Sequence, residues 1–147
     1  MSVSMVYRLN LVREPGTFFP IQQIVNSSKE AAAVFADYLK DVDRENFVAL
    51  ALNSQNKIIG INTVSMGSVD STTVHPREVY KFAILANAIS IIVAHNHPSE
   101  TVIPSESDIE LSKRLKQSGD LIGIELLDSL IIGEEGKYYS FKNEGVI

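Results

Sequence analysis

The 147-residue sequence contains no cysteine. This absence excludes disulfide frameworks, zinc sites built from thiolates, iron–sulfur clusters and a cysteine nucleophile. The sequence also lacks an uninterrupted run of roughly 18 apolar residues, which a membrane-spanning helix requires, and it lacks a basic segment followed by an apolar stretch at its start. We therefore expect a cytoplasmic protein.

Positive charge is also scarce, with 13 Lys and Arg against 18 Asp and Glu and a formal net charge of −5. This acidic balance gives no support for a nucleic-acid partner held by bulk electrostatics. Hydrophobic residues make up 45% of the chain, which is close to the average for globular domains. We expect a single domain that spans residues 1–147 and buries one core without covalent cross-links.

Local patterns predict strands and helices that alternate along the chain. Ser27 followed by Glu30 is typical of a helix N-terminus, Pro76 fits a first helical position, and Gly119 fits a helix end. The predicted strands occupy residues 1–14, 47–52, 57–64, 90–94, 122–132 and 137–141. The predicted helices run from residue 27 to about 41, from 76 to about 86 and from 105 to about 117, and residues 17–26 form a connection.

Two of the three histidines follow a predicted buried strand, where α/β proteins often place their sites. Side chains two residues apart on an extended backbone share a face, so His95 and His97 can point at one place, and Pro98 disfavours helical geometry at His97. Asp108 lies in the first turn of a predicted helix that begins at Ser105. Two imidazoles and one carboxylate leave a fourth position open on a tetrahedral metal, as in catalytic zinc sites.

An ordinary structural role explains the same residues. Ser105 and Asp108 fit a helix cap with an acidic first turn, and a His-x-His pair is often incidental. The two interpretations are compatible, because a cap would also fix the orientation of the turn that carries Asp108.

The full spacing of His-x-His, seven residues, Ser, two residues and Asp resembles the metal-binding signature of the JAB/MPN metalloenzyme (JAMM) superfamily. Within that superfamily the chain is most similar to the bacterial RadC family, over roughly residues 27–145. The similarity is carried by residues 76–79 (PREV), 94–99 (AHNHPS), 126–128 (LLD) and 131–133 (IIG). The resemblance implies an α/β class and a cytidine-deaminase-like JAB/MPN fold, with a curved mixed sheet flanked by helices.

The resemblance also implies roles for individual side chains around one metal ion, Zn2+ or alternatively Mn2+ or Fe2+. The metal ligands would be His95, His97 and Asp108. Ser105 would help to stabilise an oxyanion, and Glu45 would be the general base, with Glu78 as the alternative base. The chain departs from the family pattern at Glu100, where Gly is usual, and at Ser129, where His is usual; the change at Ser129 removes a possible substrate contact.

The implied activity is hydrolysis of an amide or isopeptide bond, in which a metal-bound water attacks the carbonyl of a peptide or protein conjugate. Two alternatives stay open, a non-catalytic metal-binding scaffold and a metal-dependent nuclease. A DNA partner follows from the family resemblance alone, and we expect the helical region that longer members associate with DNA to be missing. A zinc nucleobase deaminase is excluded, because that chemistry needs a Pro-Cys-x-x-Cys pair.

Overall fold

The computed structural model describes residues 4–12, 14, 22–69, 73–97 and 101–147. Within these residues the chain forms three helices and five strands around a mixed sheet. The helices are α1 (Ser28–Leu39), α2 (Pro76–Leu85) and α3 (Glu106–Ile122). The strands are β1 (Asn46–Leu52), β2 (Ile58–Met66), β3 (Ser90–Asn96), β4 (Glu125–Ile132) and β5 (Tyr138–Ser140).

The sheet has the strand order β2-β1-β3-β4-β5. All neighbours are antiparallel except β3 and β4, which run parallel and are connected through α3. A parallel pair needs a crossover of this kind, and the crossover helix α3 begins near the end of β3. The predicted mixed sheet flanked by helices is therefore confirmed.

The central strands of the sheet are buried on both faces. Every residue of β1 is buried, and alternate side chains enter two separate apolar clusters. One cluster joins the sheet to α2 and α3 through side chains such as Val79 and Leu115, and the other joins it to α1 through Phe35. The predicted buried strand at 90–94 is thus confirmed, and the apolar run at 47–52 is also a strand with two covered faces.

Local signals place most element boundaries correctly. The Ser27 hydroxyl accepts a hydrogen bond from Glu30 N at 3.1 Å, and the Glu30 carboxylate accepts one from Asn26 N at 2.7 Å, so two exposed donors at the start of α1 are satisfied. The strands predicted at 47–52 and 57–64 are both present and pair as an antiparallel hairpin, with the second strand, β2, extending to Met66. His95 and Asn96 belong to β3, which is two residues longer than the predicted 90–94 strand.

The predicted N-terminal strand is wrong over the residues that the structure describes. Residues 4–12 have no regular secondary structure, and apolar side chains such as Val6 and Val12 are exposed. A strand needs a hydrogen-bonding partner as well as suitable side chains, and the sequence pattern reports only the side chains. Residues 17–21 of the predicted connection lie outside the described part, as do Pro98 and Glu100.

The predicted end of α3 is also wrong. The helix passes through Gly119 and continues to Ile122, and Gly123 ends it with a left-handed φ of 88°. Gly119 is buried where a Cβ atom would lie 2.4 Å from both the Ile124 carbonyl and the Tyr80 hydroxyl. Close packing against α2 therefore explains this glycine. Among the described residues, no helix is both long and apolar enough to cross a membrane.

Candidate metal centre

The two histidines of the His-x-His motif lie where β3 runs beside β1 and β4. His95 pairs with Phe47 on β1 and with Ile131 on β4, and its ring stacks on the Phe47 ring with centroids 6.1 Å apart. The backbone N–H of His97 continues the ladder by donating to the Ile132 carbonyl at 3.1 Å. Only 3% of the His95 side chain is exposed, so the sheet holds this imidazole rigidly.

The third member of the group comes from the first turn of α3. The Ser105 hydroxyl accepts from Asp108 N at 3.1 Å, and Asp108 Oδ2 accepts from Ser105 N at 2.9 Å. These reciprocal bonds form a capping box, so the capping interpretation of Ser105 and Asp108 is confirmed. The cap also orients the Asp108 carboxylate toward the histidines, which makes the capping and ligand interpretations compatible, as predicted.

Three side chains meet at one point with the spacing that a metal requires. His95 Nε2 lies 3.1 Å from His97 Nε2 and 3.2 Å from Asp108 Oδ1, and His97 Nε2 lies 3.4 Å from Asp108 Oδ2. Ligand atoms bound at 2.0–2.1 Å to a four-coordinate metal are roughly 3.3 Å apart. His95, His97 and Asp108 could therefore hold one metal ion.

Hydrogen bonds around the histidines support this geometry. His97 Nδ1 lies 3.2 Å from the Thr101 carbonyl oxygen, which can only accept, so Nδ1 donates its proton there and the neutral form of the ring has its lone pair on Nε2, the atom that faces Asp108. His95 Nδ1 is buried and has no hydrogen-bond partner among the described residues. Sequence reasoning missed the contribution of Thr101, since its backbone carbonyl carries no signal in the residue type.

The site is strongly polarised. Burial alone would raise the pKa of Asp108, but hydrogen bonds from His95 and His97 and from the Ser105 N–H hold that pKa well below its usual value. The same Asp108 hydrogen bond raises the pKa of His97, against the opposing effect of burial. A buried carboxylate and two imidazoles therefore attract positive charge to this point.

Glu45 lines a cleft together with His97 and Asp108. The cleft has a volume of about 470 Å³ and is lined by Glu45, Val69, His97, Thr101, Ile103, Ser105 and Asp108. Glu45 Oε2 accepts from Val69 N at 3.1 Å, which holds the carboxylate at the cleft wall. The structure therefore brings Glu45 together with the histidines and Asp108.

Glu78, the alternative base, is in a different position. It lies on α2, outside the residues that line the cleft, and its carboxylate forms a 2.7 Å ion pair with Lys81 that lowers its pKa. The catalytic roles of Glu45 and Ser105 stay predictions, and the geometry favours Glu45 over Glu78 as the carboxylate near a bound metal.

Comparison with known proteins identifies relatives that match most of the chain. A family model for the RadC-like JAB domain matches residues 25–146. The chain is 40% identical over 139 residues to a UPF0758 protein of Moorella thermoacetica, covering 95% of the chain and 60% of the relative. It is 46% identical over 121 residues to a UPF0758 protein of Staphylococcus haemolyticus, covering 82% of the chain and 53% of the relative. The chain thus spans between half and two thirds of the length of these relatives.

Proposed function

The chain belongs to the family of RadC-like JAB domains, and from this premise we propose that it is a zinc-dependent hydrolase of peptide or isopeptide amide bonds. The proposal depends above all on one observation: His95 Nε2 and His97 Nε2 lie 3.1 Å apart, and each of them lies within 3.4 Å of one Asp108 carboxylate oxygen. Two imidazoles and one carboxylate suit zinc and leave a coordination position for water or substrate.

A zinc ion at this point would polarise a substrate carbonyl and lower the pKa of a bound water toward about 7. The residues of the chain supply the remaining chemistry. Glu45 is the general base, because its carboxylate lines the cleft beside His97 and Asp108. It would take a proton from water and deliver that proton to the leaving amine.

Ser105 supports the reaction through its hydroxyl. The oxygen accepts the N-cap bond from Asp108 N, and the O–H remains able to donate. A donor at the cleft wall stabilises the negative charge that develops on a carbonyl oxygen during attack. Ser105 therefore combines helix capping with oxyanion stabilisation.

The first test is metal content by mass spectrometry, on protein purified without added metal or a His tag. We expect about one zinc per chain in the wild type and a loss of metal in His97→Ala and Asp108→Asn. The Asn side chain keeps an oxygen that can accept from Ser105 N, so α3 keeps its cap while the charged ligand is lost. Equal trace metal in all three proteins would contradict the proposed site, and manganese or iron in place of zinc would correct its identity.

The second test is hydrolysis of a panel of peptides and isopeptide-linked conjugates. We expect Glu45→Gln to abolish turnover while metal content is kept, and Glu78→Gln to serve as a matched control with unchanged turnover. Supercoiled DNA is included as a phosphodiester substrate. Cleavage of DNA alone would favour the nuclease alternative, and bound metal without hydrolysis of any substrate would favour a non-catalytic scaffold.

A further inference from the structure

The end of β3, beside the two histidines, also holds the segment that carries Glu45. Asn96 lies between His95 and His97, and its side chain leaves the opposite face of β3. Asn96 Oδ1 accepts from Asn46 N at 2.7 Å, and Asn96 Nδ2 donates to the Arg44 carbonyl at 3.1 Å. One amide side chain therefore binds the backbone on both sides of Glu45.

Main-chain pairing fixes this segment on one side only, where Asn46 pairs with Met66 of β2. The ladder between β1 and β3 ends at the pair Phe47 and His95, so the next pair, Asn46 with Asn96, is formed through the Asn96 side chain. The register between β1 and β2 also shifts at Phe47. On the β3 side of the segment, the Asn96 amide therefore takes the place of main-chain bonds just after Glu45.

Two further bonds attach Glu45 to the segment after β2. Its carbonyl accepts from Gly67 N at 2.8 Å, and its carboxylate accepts from Val69 N at 3.1 Å. These bonds depend on where the Glu45 backbone lies, because both acceptors belong to Glu45 itself. A shift of the 44–46 segment would therefore weaken the contacts of Gly67 and Val69 as well.

We propose that Asn96 is a positioning residue, whose side-chain amide sets the distance between the Glu45 carboxylate and the two histidine ligands. The inference rests on the proposed role of Glu45 as the general base. A base must reach its proton within hydrogen-bond distance, and a displacement of about 1 Å can lower a rate roughly 100-fold. Because Asn96 lies between His95 and His97, one three-residue segment supplies two of the proposed metal ligands and also positions the proposed base.

The test compares Asn96→Ala with Asn53→Ala. Asn53 is also half-buried, and its Oδ1 accepts from Gln55 N and Lys57 N at the opposite end of the same hairpin. Each substitution thus removes two hydrogen bonds between an asparagine side chain and the backbone. If Asn96→Ala does not fold, Asn96→Ser replaces it, because a hydroxyl cannot reach both Asn46 N and the Arg44 carbonyl.

We expect the Asn96 variant to lose about 100-fold in kcat with unchanged KM and unchanged metal content, and the Asn53 variant to keep its kcat. Combining Asn96→Ala with Glu45→Ala should give no loss beyond that of Glu45→Ala alone, since Asn96 acts through Glu45. Multiplied losses in the double variant, or loss of metal from Asn96→Ala, would overturn the proposal.

Amide hydrogen exchange measured by NMR tests the positioning without any substrate. We expect faster exchange at Gly67 and Val69 in Asn96→Ala, and wild-type exchange at both amides in Asn53→Ala. Unchanged exchange at Gly67 and Val69 in Asn96→Ala would overturn the positioning role even if the enzyme is active. If Glu45→Ala leaves hydrolysis unchanged, the proposed base is wrong, and the exchange data still decide whether Asn96 holds the segment.

Discussion

Ser105 is the residue at which capping and catalysis can be separated by substitution. Its hydroxyl caps α3 through the 3.1 Å bond from Asp108 N, and its side chain lines the cleft. Alanine removes both the cap and the hydroxyl. Glycine removes the hydroxyl but costs only a few tenths of a kcal/mol as an N-cap, and threonine keeps both.

The expected magnitudes differ between the two roles. Loss of a serine cap costs about 1 kcal/mol, which for a chain of 147 residues lowers Tm by roughly 3 °C. Loss of one oxyanion donor lowers kcat by about 100-fold to 1,000-fold. We therefore expect Ser105→Ala to lose both stability and activity, Ser105→Gly to lose activity with nearly wild-type stability, and Ser105→Thr to retain most of each.

The assays are thermal unfolding, metal content and kcat on a substrate identified with the wild type. Metal content is needed because the cap also orients Asp108, so a weaker cap can lower occupancy. If Ser105→Gly keeps wild-type kcat, the hydroxyl takes no part in the reaction. If Ser105→Ala loses activity only in proportion to lost metal, Ser105 acts solely by orienting Asp108.

Two further predictions concern buried positions away from the cleft. Gly119→Ala should lower the free energy of unfolding by about 2 kcal/mol despite the better helix propensity of alanine, because the new Cβ would lie 2.4 Å from the Ile124 carbonyl and the Tyr80 hydroxyl. Adding Tyr80→Phe should recover part of this loss. Urea unfolding measures both, and a Gly119→Ala variant more stable than the wild type would contradict the prediction. Burial raises the pKa of Asp128 above its unfolded value of 3.8, although a hydrogen bond from Ser140 opposes this shift. The folded state therefore binds the Asp128 proton more tightly than the unfolded state does. The stability of the wild type should fall relative to that of Asp128→Asn as the pH rises from about 4 through the folded pKa. Urea unfolding across this range checks the slope, and an equal slope in both proteins would show that Asp128 does not titrate differently on folding.

The sequence predicts those parts of the fold whose cause is local. The cap at Ser27, the hairpin after β1 and the capping box at Ser105 depend on residues a few positions apart, and all three are present. The metal group was also predictable, because a strand and a helix turn close together in the chain supply all its members. His95, His97 and Asp108 span only 14 residues.

The errors arise where a distant segment decides the outcome. Gly119 has the composition signal of a helix end, yet the contact that explains it comes from Tyr80 on α2, whose hydroxyl donates to Leu115 on α3. The pattern of residues 4–12 favours a strand, but that pattern cannot tell whether another strand lies beside them to pair with, and the structure shows no strand there. The role of Asn96 was missed for the same reason, since its partners at 44 and 46 lie about 50 positions away.

The charges of the site explain why its geometry favours a metal over a network of hydrogen bonds. Asp108 is 4% exposed, so its carboxylate needs compensating positive charge or several donors. Without a metal, each histidine must carry a proton on Nε2 to donate to Asp108, and two N–H groups would then face each other with their nitrogens 3.1 Å apart. A divalent cation at the centre satisfies both lone pairs and the carboxylate together, while the cleft beside Glu45 leaves room for the substrate. A single ion therefore satisfies all three side chains at once, which hydrogen bonds among the three cannot do.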